Sequence, residues 1–162
     1  LIEITENIVI NANINHIWSF LIDFPKSLLC NRFHVSIDIS NNYSLGKIKK
    51  FNIVHNFGFG NYNMVVEIID IRPLVKISFI EYCIDNKNKG FPHEVEYKIK
   101  PEGDFGKLFY KVKGSYGGKM QDLSFKPILR GVMIEELHKL KKMIESSVTD
   151  PDSISHKSIK PI

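Results

Sequence analysis

The chain has 162 residues, 43% of them hydrophobic and 25% charged, with ten glycines and seven prolines. That size lets roughly 70% of the unfolded surface be buried, and the composition excludes a disordered tail, a collagenous repeat and a polybasic nucleic-acid arm. The net charge of +4 is confined to the second half: residues 1–81 carry seven basic and seven acidic groups, residues 82–162 fifteen and eleven. Lys98, Lys100, Lys107, Lys111 and Lys113 lie on strand-like segments with Glu94, Glu96 and Glu102 among them, which describes a solvated sheet face and no nucleic-acid partner. Two cysteines, Cys30 and Cys83, exclude a disulfide framework and a four-thiolate metal site. No apolar run reaches the roughly 18 residues needed to span a bilayer, and the free-cysteine pattern fits a reducing, cytoplasmic compartment.

Along the chain, Ile2, Ile4, Ile8 and Ile10 fall at even spacing, the pattern of a strand with one buried face. The period then changes: Ile14, Ile17, Trp18, Leu21 and Ile22 have helical spacing, with Asn13 or Asn15 as the cap and Pro25 as the stop. A second helical turn is expected at Ser27–Cys30. Strands are expected at Val35–Ser40, Lys47–Phe57, Tyr62–Ile71, Val75–Ile84, His93–Lys100 and Lys107–Tyr116, separated by turns rich in Gly, Asn, Asp and Pro. Leu129, Met133, Leu137, Leu140 and Ile144 then mark an amphipathic helix from about Phe125 to Ser147, with Pro127 in its first turn. A helix of some 20 residues is about 30 Å long and can cover a whole sheet. The expectation is an α+β helix-grip domain over residues 1–147, seven antiparallel strands curved around a long C-terminal helix, followed by a flexible tail at 148–162.

The opening segment, with Ala12, Ile17-Trp18 and Asp23-Phe24, the hairpin segment from His93 to Gly118, and the closing Leu140–Glu145 resemble the START-like superfamily, of the polyketide cyclase and lipid transport type. The resemblance spans residues 2–147, and its motifs are structural. Cys30-Asn31-Arg32-Phe33 stands where the family commonly has a tryptophan, and Gly106-Lys107 where it often has Gly-Thr. The resemblance implies a cavity between sheet and helix that holds a lipid, a polyketide or a similar apolar molecule for binding or transport. It also implies two alternatives, an aromatase/cyclase acting in that cavity and a coenzyme Q-binding or ribosome-associated toxin-like branch, the latter faintly echoed by Asp23-Phe24-Pro25 and Cys30. No cofactor is expected, transient membrane contact is compatible with this reading, and the oligomeric state is left open.

Alternation singles out Phe51, His55 and Phe57 together with Tyr97 and Tyr110 as inward-facing, and the long helix adds Met133 and Leu137. These seven are the candidate ligand-binding residues; taken singly, His55, Tyr97 and Tyr110 each read as a core residue with one hydrogen bond, and it is as a set that they suggest a pocket. The strand Val75–Ile84 is apolar on both parities. If Lys76 points outward, Glu81 points inward, where desolvation would raise its pKa and make it, with His55, a weak catalytic candidate; on the other parity it is solvated. The six histidines have no ligand spacing along the chain, so no metal is expected. Gly58-Phe59-Gly60, Gly118-Lys119 and Gly114-Ser115-Tyr116-Gly117 fail the dinucleotide-loop, phosphate-loop and nucleophile-elbow patterns.

Overall fold

A computed structural model describes residues 1–40, 44–45, 47–58 and 60–148. Of the expected tail at 148–162, Val148 belongs to the closing helix and residues 149–162 lie outside the described residues, as does most of the turn at 41–46. Strand β1 (Ile2–Ile10) leads to α1 (Ile14–Leu21), a short α2 (Phe24–Ser27) and a 3₁₀ turn (Leu28–Cys30). The strands β2 (His34–Asp38), β3 (Lys50–Asn56), β4 (Asn61–Arg72), β5 (Lys76–Cys83), β6 (His93–Glu102) and β7 (Phe105–Gly114) follow, and α3 (Lys119–Val148) closes the chain. The sheet is antiparallel throughout, in the order β1-β7-β6-β5-β4-β3-β2. This is the helix-grip architecture that the alternation and the change of period anticipate.

Local chemistry sets the boundaries. Asn13 caps α1 by accepting the His16 backbone N–H at 2.9 Å, and Pro25 opens α2 and so does not merely end α1. The third helix begins at Lys119, well before Phe125, so Pro127 lies inside it and not in its first turn. The reason is at its entrance: Gly117 takes a left-handed conformation (φ 93°), and Asp122 holds the entering chain by accepting the Tyr116 N–H at 2.7 Å and the Ser115 hydroxyl at 2.9 Å. The apolar stripe of α3, with Leu129, Met133, Leu137, Leu140 and Ile144 all buried, lies against the core formed by the sheet's inner rows. Among the described residues, no helix is long and apolar enough to cross a membrane.

On β5 the inward parity is settled. Ile77, Phe79, Glu81 and Cys83 are all buried, and Glu81 is 1% exposed. One close approach depends on glycine. Gly114 pairs with His93 across β7 and β6, and a Cβ there would stand 2.6 Å from both the Pro92 carbonyl oxygen and the His93 Cβ. Backbone cannot yield to that contact without moving the start of β6. Gly114→Ala is expected to lower the urea midpoint by an amount corresponding to about 1–3 kcal/mol, the usual cost of overpacking. An unchanged midpoint would show that β6 shifts freely.

Candidate functional site

The sheet brings together histidines that are distant in the chain. His34 opens β2 directly opposite His55 on β3, and their rings lie 4.4 Å apart. His93 opens β6 directly opposite Glu81 on β5. All three imidazoles converge on one carboxylate oxygen: Glu81 Oε2 is 2.9 Å from His55 Nε2, 3.4 Å from His93 Nε2 and 3.8 Å from His34 Nε2. Every one of these side chains is less than a tenth exposed.

The outer edges of two rings are fixed by backbone. His34 Nδ1 lies 2.6 Å from the Leu28 carbonyl oxygen and His93 Nδ1 lies 2.6 Å from the Phe91 carbonyl oxygen. A carbonyl only accepts, so each Nδ1 carries the proton and donates it, which leaves Nε2 as a lone pair turned toward Glu81 in the neutral ring. His55 is placed differently. Its Nε2 is close to Glu81, yet the angle between them is not that of a hydrogen bond, and neither its ring nitrogens nor the Glu81 oxygens have a hydrogen-bond partner.

The electrostatics follow from burial and neighbours. Burial pushes the Glu81 carboxyl up, but His55 and His34 beside it outweigh burial and hold it well below the usual carboxylate range. The expected upward shift at an inward Glu81 is thereby reversed, because burial alone ignores the imidazoles the fold places around it. Burial drives the His34 pKa down to about 4, against the pull of Glu81, and lowers that of His93 for the same reason.

A second buried polar group stands on α3. Glu136 is 1% exposed and occupies the apolar stripe between Met133 and Leu140. It accepts the Tyr97 hydroxyl and, at 2.8 Å, the side-chain amide of Asn31. Tyr110 stacks on Tyr97 with ring centres 4.7 Å apart. Burial lifts the Glu136 pKa to about 7, against the hydrogen bonds from Tyr97, Tyr110 and Asn31, and the charge of Glu81 adds to the rise. A carboxylic acid that titrates near neutrality beside a tyrosine can give or take a proton.

The open space lies next to these groups. A cavity of about 250 Å3 is bordered by Phe57, Tyr62, Tyr116 and Phe125, with Ser124 and Ile128 of α3 at its side. Two aromatic contacts connect its wall to the histidines: Phe57 is 5.2 Å from the His55 ring, and Phe91, packed on Tyr116 and Phe125, stacks on His93 at 4.7 Å. Gly90, at φ 69°, turns the chain just before Phe91. A separate cleft of about 320 Å3 is lined by residues that include Glu81, His93, Tyr82 and Lys87. A larger groove, about 640 Å3, runs past Asp38, Lys47 and Lys50 and shares none of the buried polar groups.

Of the residues singled out from sequence, Phe57 borders the 250 Å3 cavity and Phe51 borders the polar groove. His55 joins the Glu81 cluster, while Tyr97 and Tyr110 join Glu136. Met133 and Leu137 are closed in by the core. His34, His93, Asn31 and Glu136 were not singled out. Signals for two of them exist: His93 shares the inward parity of Val95, Tyr97 and Ile99, and Glu136 falls on the stripe of Met133 and Leu140. The absence of ligand spacing among the histidines holds along the chain and fails in space, because each ring comes from a different strand.

No protein-family model matches the chain, and no curated protein matches it in sequence. Solved structures do match. A conserved protein from Geobacillus kaustophilus superposes with a TM-score of 0.71 at 17% identity, over 90% of this chain and 97% of that one. The Zhui aromatase/cyclase from Streptomyces sp. R1128 gives 0.69 at 9% identity, over 90% and 94%. Ara h 8.0201 gives 0.61 at 10% identity, over 89% and 97%. Seven antiparallel strands gripping one long helix, in the company of aromatase/cyclases and of Ara h 8, are the START-like helix-grip fold that the residues of the opening and closing segments resemble.

Proposed function

We propose that this chain binds a hydrophobic or amphipathic small molecule at the mouth between the sheet and the first turns of α3. The observation that carries this reading is the cavity of about 250 Å3 walled by Phe57, Tyr62, Tyr116 and Phe125. Aromatic walls with a few polar groups at one side are the usual make-up of small-molecule sites, and burial of ligand surface at about 25 cal/mol per Å2 supplies the affinity. Met120 and Leu123, each more than 70% exposed, sit on the same first turns of α3 and give an apolar approach for a ligand arriving from a lipid surface. Structural neighbours that include an aromatase/cyclase support the same class of ligand.

A second reading is favoured by one specific observation. Glu136, hydrogen-bonded to Tyr97 and poised near neutral pH, is an acid–base group of the kind a cyclisation would need. The polar groups here are mutually connected, not isolated tips, and such a connection favours chemistry over simple carriage.

Native mass spectrometry of protein purified from its own cells is expected to show a co-purifying apolar molecule, and a library of lipids and polyketides should contain members that raise the melting temperature. Phe125→Asp is expected to abolish that rise, since it puts a charge in the apolar wall, while Phe125→Leu retains most of it. A library without any shift, together with no co-purifying molecule, would sink the proposal.

A further inference from the structure

Four features of the Glu81 cluster point the same way. The carboxylate is buried and has no hydrogen bond, although an unpaired buried carboxylate costs several kcal/mol. Two imidazoles turn unprotonated Nε2 atoms toward it, which sets lone pairs against a negative charge at 3.4 and 3.8 Å. The third, His55, has no hydrogen bond at either nitrogen. Finally, a backbone carbonyl accepts the Nδ1–H of both His34 and His93, the outer contact that fixes the tautomer and orientation of a metal-ligating histidine.

Protonating His55 would cancel one charge and leave its Nδ1–H buried without an acceptor. A divalent cation would satisfy the lone pairs of His34, His55 and Glu81 together. The spacing agrees: ligand atoms at about 2.1 Å from a tetrahedral zinc are about 3.4 Å from one another. The contacts to Glu81 Oε2 run from 2.9 to 3.8 Å, and the donor atoms of His34, His55 and Glu81 all lie within 4.8 Å of each other.

We propose that His34, His55 and Glu81 form a mononuclear site for a divalent first-row transition metal, with the fourth position of the tetrahedron left to water and His93 beside Glu81 as a neighbour of the site. Imidazole and carboxylate donors select zinc, cobalt, iron or nickel over magnesium and calcium, which need more oxygen ligands than one carboxylate supplies. The three ligands come from three strands, β2, β3 and β5, so the ion would tie the β2 edge to the middle of the sheet. The site stands independently of the apolar cavity: it needs neither a bound organic ligand nor a reaction.

The 162-residue chain is stripped with a chelator and equilibrated with Zn2+ or Co2+ as the probe. Uptake of one Zn2+ per chain is expected, with a rise in melting temperature. The Co2+ form should show the intense visible absorption of four-coordinate cobalt, not the pale spectrum of the six-coordinate ion. His34→Asn and His55→Asn should each weaken Zn2+ binding by more than the ~10–100-fold that outer contacts of a metal site are worth, and His138→Ala, an exposed position on α3, should leave it unchanged. If either ligand variant fails to fold, the cobalt spectrum of the wild-type chain still decides. Substoichiometric Zn2+ uptake by the wild type, a six-coordinate cobalt spectrum, or uptake lost only in His138→Ala overturns the proposal.

Discussion

Phe91→Ala is expected to destabilise the protein by about 3–5 kcal/mol, the range for truncating a buried phenylalanine, read as a lower urea midpoint at constant m-value. The ring is fully buried at 1% exposure and touches three others: His93, Tyr116 and Phe125. Its loss therefore opens a void where the wall of the apolar cavity, the start of β6 and the entrance of α3 meet. Because His93 is held on one side by that ring and on the other by the Phe91 carbonyl, the variant should also loosen His93, visible as line broadening of its ring signals. Phe91→Leu keeps the volume more nearly and the carbonyl entirely, and is expected to cost less than half as much. Equal losses in the two variants would mean that aromatic stacking, not volume, holds this corner together.

How much of this could be read in the sequence differs between fold and site for a physical reason. Strand alternation and helical spacing are local properties, and they placed all seven strands and the end of the long helix within a few residues. The start of α3 was missed because Pro127 looks like a first-turn residue, whereas the chain already enters the helix at Gly117-Gly118 under the hold of Asp122. The site is a product of register. His34 opposite His55, and Glu81 opposite His93, are facts about which residue of one strand faces which of another, and no spacing within a strand reveals them. The family resemblance was also informative where it failed. At Cys30-Asn31-Arg32-Phe33, where a tryptophan is usual, the chain supplies the amide that holds Glu136 and the aromatic ring beside Phe57 and Phe125, and the next residue is His34.

The same interior should make stability depend on pH, with a sign opposite to that of an ordinary ion-paired carboxylate. Glu136 titrates at about 7 in the folded chain against an ordinary value of 4.5, so the native state holds its proton more tightly than the unfolded state does. Between those two values the native state binds more protons, and stability must fall as pH rises, levelling off above the folded value. At about 1.4 kcal/mol per unit the contribution is a few kcal/mol. The groups that face Glu136 do not compete in this window: burial keeps the hydroxyls of Tyr97 and Tyr110 protonated, the Cys30 thiol is pushed up to about 11, and Glu81 is held ionised well below it. His34, with its pKa near 4, acts with the opposite slope, since a histidine buried in the neutral form loses stability as pH falls from its ordinary value of 6.5. The two slopes overlap, and the difference between wild type and Glu136→Gln isolates the first. Glutamine, like the protonated acid, keeps one acceptor oxygen for the Asn31 amide and offers a donor to the Tyr97 hydroxyl oxygen, but it has no proton to lose. The variant is expected to match the wild type near pH 4.5 and to exceed it by a few kcal/mol at pH 8, measured by urea denaturation across that range. A wild-type advantage at pH 8 would mean that the charge of Glu136 is satisfied in the fold by its hydrogen bonds, and that burial is not what governs its proton.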